Sequence, residues 1–416
     1  MEHLLGITGL TIVALITLYL ALRHPAVRIV LLVAFMVRAG AALFHFYVAP
    51  LPDGTSDAVS FERTAWEWAS GGLSGVLDEF RGPHSYFISF IIGIVYAVTD
   101  RSPLLAQSLS VLCGMGSVFL GWKLAGEIWG KEAALKAAWV TALFPTLVLY
   151  SALTLREAYI WFFLLLGLIC VVRWARNGGL WPAAGAVGAF IGATFFHGAM
   201  LVAVLAFLGL VAIKAAQRKL AALSRRRLPV FSILTGAAAA VLLAGYVFSD
   251  ISVPKLGTFE QAVNTERIMD RIERTTKDTA AYPEWTVPQT THEILWKAPI
   301  RAGYFMFSPF PWDISNPRHV IGLFDGMLYL VLAVLLWRNR KMIWSDPGSR
   351  SVLIIVGALI VVFGVAIGNF GAGLRHRAKF AAALIALAAP RLPRVVAGLK
   401  PGTTLRPSAV CESVRR

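Results

Sequence analysis

The chain has 416 residues, of which 57% are hydrophobic and 15% charged, so a water-soluble fold would leave most of its apolar surface unburied and lipid is the expected solvent. The formal charge of +16 does not point to nucleic acid, because the basic residues sit in short runs between apolar segments, where they set topology. Cys113 and Cys170 fall in apolar stretches and Cys411 in the basic tail, a distribution that offers neither a disulfide framework nor a metal-ligand spacing.

The first apolar run, Leu4 to Leu22, has no Lys or Arg before it and no small-residue cleavage site after it, so it reads as a retained helix. Spans are expected at roughly 3–22, 28–50, 104–126, 135–153, 157–174, 180–195, 199–216, 229–248, 319–337, 351–370 and 379–397. The strongest basic connections are Lys214 to Arg227, Arg338 to Lys341 and the tail after Arg391, with Arg173 and Arg176 adding a fourth; all belong in the cytoplasm. Alternation then puts residues 51–103, the turns at Arg156 and His197, residues 249–318 and residues 371–378 outside.

Tyr86 to Val98 would break that alternation if it crossed, and it falls short of the about twenty residues a span needs. It reads as a helix lying in or dipping into the outer leaflet, with a tilted span as the alternative. The fold class expected is an all-α membrane protein with about eleven transmembrane helices, this leaflet helix and an outer loop domain. Its parts are a membrane module over 1–248 with the outer loop 51–103, an outer loop at 249–318, C-terminal helices at 319–397 and a basic cytoplasmic tail at 398–416. The 249–318 loop opens with an amphipathic pattern from Phe259 to Arg274 and continues with Trp285, Trp296, Tyr304, Phe305, Phe310 and Trp312, a composition suited to the membrane boundary. No internal repeat is visible.

Polar residues out of place in such a chain are the candidates for chemistry. Asp53 and Asp57 stand four residues apart directly after a span; either is placed to act as a general base, and Asp57 is equally a candidate helix N-cap. Arg156 and Glu157 occupy a very tight outer turn, where they either pair locally in the headgroups or complete a polar cleft with the first loop. Arg375, His376, Arg377 and Lys379 fall outside against the positive-inside tendency. Basic residues at that boundary suit a lipid-borne phosphate, whose oxygens arginine grips in a bidentate way. Asp325 lies on the order of 9 Å inside its span and calls for a cavity or a partner. His197 is an interfacial histidine, Lys297, Arg301 and Asp313 flank the aromatic segment, and Arg38, in mid-span, needs a partner or a water-filled path.

In this layout the chain resembles the GT-C superfamily of membrane glycosyltransferases, the group that includes protein O-mannosyltransferases and lipid A aminoarabinose transferases. Asp57-Ala58 followed by Phe61 and Ala65 is similar to the family's first-loop pattern, the Tyr86 segment to its leaflet helix, and Arg156-Glu157 to its second acidic site. The first-loop acids are spaced apart rather than adjacent, and Gly82-Pro83-His84 stands where a proline pair is expected.

The resemblance implies transfer of a sugar from a polyprenyl-phosphate donor at the outer, periplasmic face of the inner membrane, in cell-surface polysaccharide or glycoconjugate assembly. Asp57, Asp53 and Glu157 would be the catalytic set, with Arg156, Arg375, His376, Arg377, Lys379, Asp325, His197 and Arg301 toward substrate. No metal ligands are assigned, and use of a divalent metal is left open. The expected partners are the polyprenyl-phosphate sugar or a lipid-linked oligosaccharide and membrane lipid. An O-antigen or exopolysaccharide polymerase is the neighbouring reading, favoured by the long outer loop. A lipid-linked oligosaccharide transporter is a third, for which Arg38 speaks.

Overall fold

The structure, a computed structural model, describes residues 1–224 and 280–393 together with positions 261, 264, 269, 270 and 272. The expected span at 229–248, nearly all of the amphipathic pattern from Phe259 to Arg274 and the tail 398–416 lie outside the described residues.

The regular elements of the described residues are helices, and their β pairing is limited to one bridge between Ala281 and Asn369. Helices α1 (Glu2–Arg23) and α2 (Arg28–Tyr47) form a hairpin against α6 (Pro103–Trp129). Between α2 and α6 lie three short helices, α3 (Asp57–Ala69), α4 (Gly72–Asp78) and α5 (Phe87–Val98), that pack on one another. Next come α7 (Lys131–Leu143), α8 (Pro145–Ser151), α9 (Glu157–Asn177), α10 (Leu180–Phe196) and α11 (Leu201–Ser224). The C-terminal part contributes α12 (Thr291–Phe307), α13 (Pro317–Ser345), α14 (Pro347–Ala366) and α15 (Phe370–Ala388).

Seven of these helices are long and apolar enough to cross a membrane, and α7 with α8, bent by 59°, makes an eighth if the pair is one span. Eleven spans were expected, and the described residues depart from them at three places. The 135–153 segment is the broken α7–α8 pair, 180–195 is the seventeen-residue α10 laid along α9, and the last helix begins at Phe370 rather than near residue 379. Helix α5, with twelve residues, is about 18 Å long, well short of the about 30 Å hydrocarbon core.

The break between α7 and α8 also accounts for Arg38. Pro145 has no N–H to donate to the Thr141 carbonyl, and Phe144 before it takes an extended conformation. The carbonyls left open at the end of α7 are taken by Arg38 of α2, whose guanidinium donates to Ala142 O at 2.7 Å, Thr141 O at 3.1 Å and Ala34 O at 3.3 Å. This fully buried cation thus has a partner, the negative end of a helix, rather than a water-filled path.

Helix α15 is the post around which the rest assembles, touching α6, α7, α8, α9, α12, α13 and α14. Residues Arg377 to Ala388 are buried without interruption, and the alanines among them let several helices approach one axis. Close approach recurs at Gly364 of α14, where a Cβ would lie 2.6 Å from the Ala302 Cα of α12.

The two ends of the bundle differ in charge. At one end Arg173 pairs with Glu127, Arg176 with Asp346, and Lys214 caps the carbonyl of Ala175. Asn339 and Arg391 meet beside the last carbonyls of α15, and the His24 ring lies tilted against Phe119 and Trp122. The opposite end gathers the end of α2, the α3–α5 layer and the turns before α6, α9, α11, α13 and α15.

Candidate functional site

At this second end the first turn of α15 meets the starts of α3 and α9. Asn369 caps α15 through the Ala372 N–H, which fixes the helix phase. Arg375 and Lys379, four residues apart, therefore share a face. Both reach Glu157, the first residue of α9: Arg375 Nε at 2.9 Å and Lys379 Nζ at 3.3 Å from the same carboxylate oxygen. Glu157 is 1% exposed, and a carboxylate there is tolerable only because two cations and the helix N-terminus meet it.

Arg375 Nη1 turns the other way and donates to Asp57 at 2.6 Å, while its Nη2, buried, has no hydrogen-bond partner among the described residues. Asp57 is not the N-cap of α3; that position is Ser56, whose side chain makes no capping bond. As the first residue inside the helix, Asp57 is free of the cap geometry and points to the α15 arginine with its side chain half exposed. Asp53 sits at φ 62°, a left-handed conformation that Asp accepts more readily than most residues, and takes a hydrogen bond of 2.9 Å from the Tyr150 hydroxyl.

Asp53, Asp57, Arg156, Arg375 and His376 line a cleft of about 290 Å³ that Gly371 and Ala372 complete. Arg156 does not pair with its neighbour Glu157. It is buried, lies 5.1 Å from the centre of the Phe61 ring and donates to the carbonyls of Ser85 and Phe196. The tight turn thus ties the stretch before α5 to the end of α10. His376 Nδ1 contacts Lys379 Nζ, and its ring stands 5.3 Å from that of His197, which closes α10 behind the cleft.

Arg377 faces away, as a residue two positions along a helix must. It is fully buried and its guanidinium is committed to Asp325 at 2.6 Å and to the carbonyls of Ser308 at 2.5 Å, Met306 at 3.2 Å and Gly322 at 3.2 Å. The expectation that Arg377 grips a phosphate is corrected by this saturation. Asp325 has a partner rather than a cavity. Arg301 is likewise buried on backbone, donating to Ile367 O at 2.9 Å and Thr286 O at 3.4 Å, and does not line the cleft. Lys297 pairs with Glu293 at 2.8 Å, and Asp313 accepts from the Phe310 N–H at 2.9 Å.

A second cluster stands behind α3. Glu62, on the same helix as Asp57, receives a bidentate grip from Arg101 at 2.8 Å and 3.0 Å and the Tyr96 hydroxyl at 3.0 Å. The hydrogen bond to Glu62 raises the Arg101 pKa, and burial, reinforced by the same carboxylate, pushes the Tyr96 phenol well above its usual range. Glu62, Arg101, Tyr96 and Tyr150 were not among the sequence candidates. Among the described residues no group of three or more His, Cys, Asp or Glu side chains is placed to hold a metal ion.

Compared with known proteins, a segment of 113 residues is 33% identical to the "Putative mannosyltransferase YycA" of Bacillus subtilis (strain 168). The matched segment covers 27% of this chain and 16% of that protein. No family model matches, and no solved structure does.

Proposed function

We propose that the chain is a membrane glycosyltransferase that moves a sugar from a polyprenyl-phosphate donor to an acceptor hydroxyl at the outer face of the cytoplasmic membrane. The observation that carries this reading is a cleft at a bundle end lined by Asp53 and Asp57, with Asp57 on Arg375, an arginine with one donor still unused. The partial match to the Bacillus protein, by its name, supports sugar transfer, and the helical, apolar fold supports a membrane setting. The basic connections at the opposite end support an outward-facing cleft. Arg38, the feature that favoured transport, serves the α7 carbonyls instead.

In this mechanism Asp57 takes the proton of the acceptor hydroxyl, whose oxygen forms the new bond to the anomeric carbon. The bond from that carbon to the phosphate oxygen breaks, and its electron pair leaves on the polyprenyl phosphate. Arg375 stabilises the developing charge, so no strong acid is required. Asp57 then returns its proton to water.

Membranes holding the full chain, given a panel of radiolabelled donors, should transfer label from a polyprenyl-phosphate sugar into a new product. Efficient transfer from a soluble nucleotide sugar, with none from the lipid donors, overturns the reading.

A further inference from the structure

Arg375 stands between two carboxylates held in different ways. Glu157 is buried in the bundle and keeps Lys379 as a second cation, so its charge does not depend on Arg375 alone. Asp57 belongs to the short-helix layer, is half exposed, and has an exit to water. The guanidinium spends Nε on Glu157 and Nη1 on Asp57, while Nη2 remains unused.

A phosphate ester, whether the sugar-bearing diester of a polyprenyl-phosphate donor or the monoester it leaves, offers at least two unesterified oxygens to such a fork, enough to satisfy Nη2 and to compete for Nη1. Charge allows no simple addition. Among the cleft-lining residues, two carboxylates, Asp53 and Asp57, are already matched in number by two guanidinium groups, Arg156 and Arg375. An anionic ester entering beside both carboxylates adds repulsion. The carboxylate that leaves at least cost is the one water can resolvate.

We propose that a lipid phosphate ester, the sugar-bearing diester of the donor and the monoester it leaves behind alike, docks in this cleft by displacing Asp57 from Arg375, taking Nη1 and Nη2 while Glu157 holds Nε. The same exchange frees the Asp57 carboxylate, so the base is uncovered only once the phosphate is in place, and the donor binds before the acceptor reacts. Asp57 is thus an internal competitor of the phosphate as well as the base. The inference rests on the proposed donor reading, yet it concerns binding alone and is testable without sugar or acceptor.

The test uses the full chain in lipid nanodiscs, with farnesyl phosphate as probe and farnesol and inorganic phosphate as separate arms, read by intrinsic tryptophan fluorescence. Asp57→Asn should bind farnesyl phosphate roughly tenfold more tightly than wild type, because it loses the competing charge. Asp57→Glu, which keeps the charge, should stay near wild type. Arg375→Lys should bind about tenfold more weakly, having lost the fork.

Inorganic phosphate following the same order supports the exchange with phosphate itself as ligand; a response confined to farnesyl phosphate supports it with the lipid as ligand. Farnesol binding as well as farnesyl phosphate overturns the exchange, since the chain would then carry the affinity. If wild type binds farnesyl phosphate but Asp57→Asn binds no better, the exchange is wrong while the donor reading stands. If no arm binds, both fall.

Discussion

Arg375 and Arg377 are two residues apart, and replacing each with alanine should fail in opposite ways. Arg377→Ala removes the partner of Asp325, whose side chain is 5% exposed, and strips the carbonyls of Met306 and Ser308 at the end of α12. Breaking a buried pair by deleting one member costs about 3–5 kcal/mol, and each stranded acceptor adds ~1 kcal/mol or more. Arg375→Ala leaves Glu157 with Lys379 and Asp57 with water, so its cost is about 1–2 kcal/mol. Unfolding of the purified protein in mixed micelles titrated with a denaturing detergent separates the two. A second comparison uses Asp325→Asn, which removes the charge that Arg377→Ala would strand, so the double variant should be less destabilised than the two single losses summed. A wild-type midpoint for Arg377→Ala would show that its guanidinium does not secure Asp325 and the α12 carbonyls, the more so if affinity for farnesyl phosphate is lost.

Three further outcomes are expected. Arg38→Leu should cost about 2–4 kcal/mol by leaving the Thr141 and Ala142 carbonyls unpaired in the bundle; an unchanged unfolding midpoint would show that Arg38 does not cap α7. Glu62→Ala should lose about 2 kcal/mol and, by hydrogen-exchange mass spectrometry, deprotect residues 57–69 more than α9, because the Arg101 and Tyr96 bonds that fasten α3 are gone; uniform protection would contradict that fastening. In a variant lacking the native cysteines, Ser56→Cys should react with a membrane-impermeant thiol reagent in intact spheroplasts; labelling only after lysis would place the cleft on the cytoplasmic side.

The cluster from Arg375 to Lys379 was legible because charge is rare in so apolar a chain, and its meeting with Asp57 and Glu157 is what the layout suggested. What stayed hidden was helix phase. An apolar window begins near residue 380, but the helix starts at the Asn369 cap, so Arg375 and Arg377 lie inside it and, two positions apart, on opposite faces. Pro145 and Arg38 were each visible as irregular, yet a contact across 103 and 104 residues is what makes one explain the other. Glu62 and Arg101, 39 residues apart, follow no helical or strand period that would join them.

In the proposed function Asp57 is the base of a sugar transfer in which Arg375 receives the leaving phosphate. The most direct measurement is single-turnover transfer by wild type, Asp57→Asn and Asp53→Asn, each matched for folded protein and saturated with lipid donor. Asp57→Asn should lose roughly 10²-fold or more in rate while holding the donor at least as tightly as wild type. If Asp57→Asn and Asp53→Asn both transfer sugar at near the wild-type rate, the mechanism proposed for this cleft is contradicted.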